Sequence, residues 1–373
     1  MPADIVISGI DALFTMREPG GLGRMADAAV AMTGERITWV GPSSDAPDAT
    51  VTLCARGCAV LPGLVDCHTH LVWAGSRADE WERRLAGEDY TAILEAGGGI
   101  LSTVRNTRKA SDDELVELAV QRLTGIRARG VTTVEVKSGY GLDPETEARI
   151  LRAAHRAGSI ADVGVVGTFL GAHTIPAELR HDRDAYVRQI IEEQLPAVST
   201  LATFIDVYID RGAFTVEEGE RILRAGMAHG LIPRVHAEQV THTGAAAMAA
   251  RLGASSADHL EQLDSDGIAA MAHAGTHAGT LVVDAGGARR PDGAGDPVAP
   301  AEDPDAAWLE ILRGPGGCAG CHAEGALYPG TDLALNDGRA LIGKPARTAP
   351  NRVLVVPARP LARLGLTPLA TEP

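Results

Sequence analysis

The sequence predicts an α/β protein: a (β/α)8, TIM-like barrel with a small β-rich domain built from the N-terminal segment and the C-terminal end. Three observations predict it. From about Val60 onward, apolar strands and amphipathic helices alternate through seven units, as they do in a parallel sheet. No glycine-rich phosphate loop follows any early strand, which sets aside the alternative of a doubly wound sheet. Histidines stand at the ends of four of the seven strands, the rim at which a barrel of this kind carries its chemistry.

Taken in order, residues 1–58 are the first part of the small β domain, with short strands over 4–8, 28–32, 36–40 and 50–53 punctuated by glycine and proline. The barrel spans 59–283. Its first strand is the apolar run that ends in Leu61-Pro-Gly-Leu-Val-Asp-Cys-His-Thr-His-Leu71. A strand over 131–136 follows a helix that Ser111 and Glu114 open as a capping box and Gly130 closes. Asp143-Pro144 starts the next helix, with a cap and a proline at its first position, and it ends near Gly158. Strands over 163–170 and 203–209 flank a helix over 184–195, and Thr215 with Glu218 caps a helix that stops at Gly230. A strand over 231–235, an alanine-rich helix over 244–252, and strands over 255–259 and 279–283 complete the series.

The character of the chain then changes. Residues 284–337 are dominated by Gly, Pro, Ala and charge where an eighth βα unit is due, a composition of linkers. An apolar strand returns at 353–356, and residues 338–373 are expected to rejoin the small β domain. Such an interval is what a pair of compensating frame changes produces in GC-rich coding sequence.

A net charge of −15 argues against nucleic acid or an anionic membrane as a partner, while leaving an anionic small molecule open through one or two local arginines. The first residues lack a basic stretch followed by a continuous apolar one, and five cysteines make no disulfide framework. The expectation is a soluble cytoplasmic protein.

His68 and His70, two positions apart on a strand, project to the same face and can reach one metal ion. The same rim carries Arg77, Lys137-Ser-Gly-Tyr140, His173, His236-Ala-Glu238-Gln239 and His259. Each also has a plainer reading: His173 as a core histidine, Tyr140 as turn packing, Arg77 as a solvated helix-entry charge, Glu238 and Gln239 as polar loop. Asp258 should face away from His259 on a strand and reads as structural. His229, His242, His273 and His277 lie in or just after helices and read as surface. Cys318-Ala-Gly-Cys321-His322 matches the c-type haem attachment pattern, but covalent haem belongs to exported chains, so these read as unpaired thiols.

The strings DCHTHLVWAGSRADEW (66–81), YTAILEAGGGILSTVRNTR (90–108), TTVEVKSGYGLD (132–143), TFLGAHTIP (168–176), VHAEQ (235–239) and SADHLE (256–261) resemble the amidohydrolase superfamily and, within it, the imidazolonepropionase family. The resemblance covers roughly residues 30–283. It implies one divalent metal, zinc or iron, held by His68, His70 and His236, with His259 moving protons around a metal-activated water. It implies substrate contacts from Arg77, Tyr90, Tyr140, His173 and either Glu238 or Gln239. The implied reaction is hydrolysis of the ring C–N bond of 4-imidazolone-5-propanoate to N-formimidoyl-L-glutamate in histidine degradation, with the small molecule as the partner and a homodimer left open. Another cyclic-amide or amidine hydrolase or deaminase of the superfamily is the runner-up, although a purine site has no need of Arg77. The family closes its metal site with an Asp in a TDxNPGT motif, which this sequence lacks; Asp332 and Asp337 are weak candidates. A catalytically impaired paralogue is the reading that follows if nothing replaces that Asp.

Overall fold

The computed structural model describes residues 2–17, 22–88 and 98–279, together with the strands Leu341–Ile342 and Val353–Pro357. In chain order the N-terminal strands are β1 (Ala3–Ile10), β2 (Ala12–Phe14), β3 (Arg24–Met25), β4 (Ala28–Thr33), β5 (Arg36–Pro42), β6 (Ala49–Cys54) and β7 (Cys58–Pro62). They make two sheets. One runs β5-β4-β1-β6, with β1 antiparallel to β4 and parallel to β6. The other contains β7, β2 and β3, and Val353–Pro357 adds to it antiparallel to β7, with Val355 opposite Val60. Ile7, Ile10, Leu13, Val30 and Val60 from both sheets pack into one core, which joins them as a sandwich.

The run predicted as the first barrel strand divides in two. Cys58–Pro62 stays in the small domain, and the barrel sheet begins only at β8 (Leu64–Asp66), so the crossing falls at Gly63 rather than at residue 59. Pro62 ends the ladder, and Gly63 passes so close to the strand Val131–Lys137 that a Cβ there would stand 2.2 Å from Thr132 Oγ1.

The barrel strands are β8, β9 (Val131–Lys137), β10 (Gly164–Ala172), β11 (Phe204–Ile209), β12 (Ile232–Ala237), β13 (Ser256–His259) and β14 (His277–Ala278). They form one parallel sheet in sequential order, the curved wall of a βα barrel. The last of these begins at His277, which is thus an exposed strand residue rather than a helix end, and the rest of the strand predicted over 279–283 lies outside the described residues. So do Cys318, Cys321 and His322, the interval 284–337 with Asp332 and Asp337, and most of 338–373.

Local sequence explains the helices between strands. Asp112–Arg127 starts where the Ser111 hydroxyl accepts from Glu114 N at 3.2 Å. Pro144–Ala161 starts where Asp143 accepts from Thr146 N at 2.8 Å. Val216–Ala228 has a full capping box: Glu218 N donates to Thr215 Oγ1 (3.2 Å) and Thr215 N to Glu218 Oε2 (2.9 Å). The helix predicted over 184–195 runs as Arg183–Gln189, a π turn Ile190–Gln194 and Leu195–Val198. These helices bury Leu115, Leu123, Ile150 and Leu223 against Val134, Val136, Ile205, Val207 and Val235 of the strands.

The strand residues between those apolar ones face inward, by the two-residue period of a strand. They are polar: Glu135 and Lys137 on β9, Asp206 and Tyr208 on β11, Arg234 and His236 on β12, Ser256 and Asp258 on β13. The barrel therefore has an apolar outer core and a charged interior. Among the described residues no helix is long and apolar enough to cross a membrane.

Candidate metal centre

His68 and His70 lie in the extended segment just past β8 rather than on the strand itself, and that segment is held in strand-like register. Lys137 N donates to Thr69 O at 2.9 Å, and the Thr69 hydroxyl donates to Glu135 O at 2.6 Å. The i, i+2 relation consequently survives, with both imidazoles turned to the barrel interior. His236 reaches the same point from the end of β12. One ring nitrogen from each of the three lies within 4.8 Å of the others, and all three residues are buried.

Two carboxylates orient these rings. His68 Nδ1 donates to Asp258 Oδ2 at 2.7 Å and His236 Nδ1 to Asp206 Oδ1 at 2.9 Å. An imidazole that donates through Nδ1 carries its lone pair on Nε2, so each carboxylate fixes the tautomer a metal ion requires. His70 Nε2 stands 3.3 Å from His236 Nε2. Buried imidazoles, two of them backed by carboxylates, are the donor chemistry of a divalent metal, and the residues fit one.

Beneath the histidines is a buried ion cluster. Lys137 Nζ lies 2.9 Å from both Glu135 Oε1 and Asp206 Oδ2, and 3.7 Å from Asp258 Oδ2. Arg234 Nη2 donates to Asp258 Oδ2 at 3.0 Å and to Cys67 O at 2.9 Å. Glu135 Oε2 accepts from Thr69 N at 3.2 Å. For Asp258, Lys137 and Arg234 burial opposes the charge, and the neighbours outweigh it. For Asp258 the His68 hydrogen bond and the Lys137 and Arg234 charges hold the carboxyl well below the usual range. Asp206 and Glu135 raise the Lys137 ammonium above its ordinary value, and Asp258 and Glu135 do the same for Arg234. Two basic side chains thus face three acidic ones, an excess of carboxylates over cations that favours a cation above them.

Above the cluster, His259 lies with its ring 5.3 Å from that of His68 and 5.1 Å from that of His236. Its backbone is left-handed, φ 79°, as is that of Leu260 at 70°. This turn breaks the strand alternation, so His259 and Asp258 both reach the centre although they are adjacent; the expectation that Asp258 faces away is corrected. His173 stacks on His70 at 4.8 Å with an interplanar angle of 20°, and Tyr140 lies 5.4 Å from His173. Gly139 O can only accept, so His173 Nδ1 donates to it at 3.1 Å. Burial lowers the pKa of both His173 and His259 to about 4.

The remaining sequence candidates sit differently. Arg77 donates to Glu80 Oε2 at 2.8 Å in the loop beyond His70. Glu238 is 1% exposed, has a left-handed backbone and accepts from Gly244 N at 2.7 Å; burial raises its pKa, and its Oε2 is buried with no hydrogen-bond partner. Gln239 is half-buried beside it, and Tyr90 lies outside the described residues. His229, His242 and His273 are exposed. Sequence reasoning missed Glu135, Asp206 and Arg234 because it inspected strand ends alone. Their signal is the polar residue at every second position of Val-Glu-Val-Lys, Ile-Asp-Val-Tyr and Arg-Val-His within otherwise apolar strands.

No protein-family model matches the chain. It is 48% identical over 265 residues to imidazolonepropionase of Shewanella loihica, and 49% identical over the same length to that of Shewanella halifaxensis; each alignment takes in 69% of this chain. The chain spans 65% of the length of these relatives. Among solved structures, a Xaa-Pro dipeptidase with bound methionine and an ochratoxinase from A. niger each superpose with a TM-score of 0.51 at 17% identity. Both cover 74% of this chain, with 66% and 65% of their own. An atrazine chlorohydrolase from Arthrobacter aurescens, complexed with zinc, gives a TM-score of 0.50 at 16% identity, over 74% of this chain and 66% of that one. At such identities these three speak for the fold. These three share the barrel fold, and over the segment shared with its curated relatives the chain belongs to the imidazolonepropionase family.

Proposed function

We propose that the chain hydrolyses the ring C–N bond of 4-imidazolone-5-propanoate, giving N-formimidoyl-L-glutamate, in the cytoplasm as a step of histidine degradation. The observation that carries this is the convergence of His68, His70 and His236 beside His173, Tyr140 and His259 in a chain 48% identical to proteins of that name. His68, His70 and His236 would hold one divalent ion, zinc or iron, since imidazole donors suit both. When bound, the ion supplies Lewis acidity toward a carbonyl oxygen and makes a nearby water a better nucleophile.

The protein's own residues would do the rest. His259 takes the proton from the attacking water and returns it to the ring nitrogen as the C–N bond breaks. The water oxygen thereby becomes part of the new carboxylate, and the leaving nitrogen remains in the formimidoyl group. His173 presents Nε2 as an acceptor, because its Nδ1 proton is committed to Gly139 O. Glu238, the more buried of the two acidic or amide candidates, takes a ring N–H through Oε2. Arg77 receives the propionate with its planar fork, held by Glu80, and Tyr90 is the remaining candidate for a substrate contact.

Purified protein loaded with metal should consume the imidazolone, seen as loss of ring absorbance, and His236→Ala should abolish that loss. A second reading, a ligand-binding chain of impaired activity, is favoured by one observation: no TDxNPGT string follows the barrel. Folded, metal-bound protein that binds the imidazolone without consuming it would select the second reading; protein that neither binds nor consumes it would sink both.

A further inference from the structure

We infer that Glu147 is a positioning residue of this site, a buried carboxylate that fixes the turn carrying Tyr140 and, through Gly139, the orientation and tautomer of His173. The inference rests on the proposed reading of Tyr140 and His173 as substrate contacts, but its geometry stands apart from it.

Glu147 lies in the first turn of the helix Pro144–Ala161, fully buried on the side facing the barrel rim. Three backbone N–H groups of the Ser138–Leu142 turn converge on its carboxylate. Gly139 N donates to Oε2 at 2.8 Å, while Gly141 N and Leu142 N donate to Oε1 at 2.8 and 2.7 Å. The Ser138 hydroxyl hydrogen-bonds the same carboxylate and accepts from Leu170 N at 3.0 Å. Every group facing these two oxygens is a donor, so only an acceptor-only side chain satisfies them all.

The turn is one that L side chains resist. Gly139 has φ +106° and Leu142 φ 58°. A Cβ on Gly139 would stand 2.7 Å from Leu170 O and 2.9 Å from His173 Nδ1, and one on Gly141 would stand 2.7 Å from Glu147 N. The backbone cannot hold this shape by local preference, and the carboxylate supplies the constraint. Two consequences reach the site. Tyr140, between two clamped glycines, is held 5.9 Å from the His70 ring. Gly139, whose N–H is held by Glu147, turns the carbonyl of its next peptide onto His173 Nδ1, which leaves Nε2 as the acceptor nitrogen of that ring.

Other features do not carry as far. The cavity of about 570 Å³ lined by Arg183, Asp210, Arg211 and Thr241 has its buried Asp210 fully occupied by Val240 N, Thr241 N and Thr241 Oγ1, and nothing in it points to a ligand.

The test uses full-length protein with histidine nitrogens labelled, read above the imidazole titration range, with the His173 signals assigned against His173→Asn. Wild type should show His173 as the Nδ1–H tautomer. Glu147→Gln puts an amide donor against backbone donors and should mix the tautomers, raising KM for the imidazolone on the order of tenfold with a smaller change in kcat. Glu147→Asp, which keeps the charge on a shorter arm, should restore part of both. If Glu147→Gln does not fold, Glu147→Asp decides by the same readouts, with a mixed tautomer supporting the inference. An unchanged His173 tautomer in the folded variant overturns it, even if thermal stability falls, because a merely structural role predicts that pattern. If wild-type protein turns over no imidazolone, the functional reading fails while the tautomer still tests Glu147.

Discussion

The carboxylate of Asp258 lies 2.7 Å from His68 Nδ1, joining β13 to the segment after β8 across the interior of the barrel. The same oxygen accepts from Arg234 at 3.0 Å, so the orientation of one histidine is tied to the ion cluster below it. Asp206 does the same for His236, and Lys137 touches both carboxylates. The three histidines therefore stand on a charged floor that sets the tautomers of His68 and His236 before any ligand arrives.

Replacing Asp258 by Asn keeps the shape and removes the charge. The amide can still accept from His68, but it no longer balances Arg234 and Lys137, and the imidazole becomes a poorer donor. Partners of this kind typically alter metal affinity by about 10- to 100-fold. The expected outcome is weaker retention of zinc against a chromophoric chelator, in a protein whose far-UV spectrum is unchanged. Equal retention would show that the His68–Asp258 contact orients nothing that matters to the ion.

Stripping the ion should destabilise the fold, because a ligand that binds only the native state adds its own free energy to folding. At a free concentration 1,000 times the dissociation constant this amounts to about 4 kcal/mol. A chelator should lower the Tm of wild-type protein and leave that of His236→Ala nearly unmoved. A chelator shift of equal size in both proteins would place the stabilising ion elsewhere.

The architecture was legible because strands, helices and caps are local. Ser111, Asp143-Pro144 and Thr215 with Glu218 announce their helices within four residues. The histidines were legible because a rare residue type recurring at strand ends is visible in one dimension. The charged floor was not, since Glu135, Asp206 and Arg234 acquire meaning only when β9, β11 and β12 are laid side by side with their valines and isoleucine outward. Asp258 was misread for a related reason: the positive φ of His259 breaks the two-residue period, and the sequence Ser-Ala-Asp-His carries no glycine to signal it. The boundary at Gly63 was obscured because Cys58–Pro62 and Leu64–Asp66 form one apolar run that serves two sheets.

Thr215→Ala separates helix stability from the site. The substitution removes the hydroxyl that accepts from Glu218 N, and one half of the capping box is lost. Loss of such a cap costs about 1 kcal/mol. Glu218 keeps its bonds to Arg183 and Thr215 N, which limits the effect. Denaturant unfolding should show a lower midpoint at an unchanged slope, with metal retention as in wild type. A change in metal retention would mean that the helix Val216–Ala228 communicates with His236, which lies on the next strand.

Lys137→Met is expected to be the most damaging of these substitutions. The ammonium is wholly buried and sits between Glu135 and Asp206, and Met matches its length without its charge. Removing one partner of a buried ion pair leaves the other uncompensated, a cost of about 3–5 kcal/mol. Arg234 stands opposite Asp206 on the neighbouring strand, but its guanidinium is engaged by Glu135 at 3.7 Å and Asp258 at 3.0 Å, so it covers only part of the deficit. Asp206 is then the carboxylate left exposed to the low-dielectric interior, and it is also the one that orients His236. A second substitution, Asp206→Asn, should accordingly recover part of the lost stability in the Lys137→Met background while lowering it in wild type, a coupling readable by a double-mutant cycle in denaturant. Recovery of stability should come without recovery of metal binding, because neutralising Asp206 relieves the buried charge but weakens the hold on the His236 tautomer. Additive effects of the two substitutions would show that Lys137 and Asp206 do not act as a pair, and would remove the link between the ion cluster and the histidines above it.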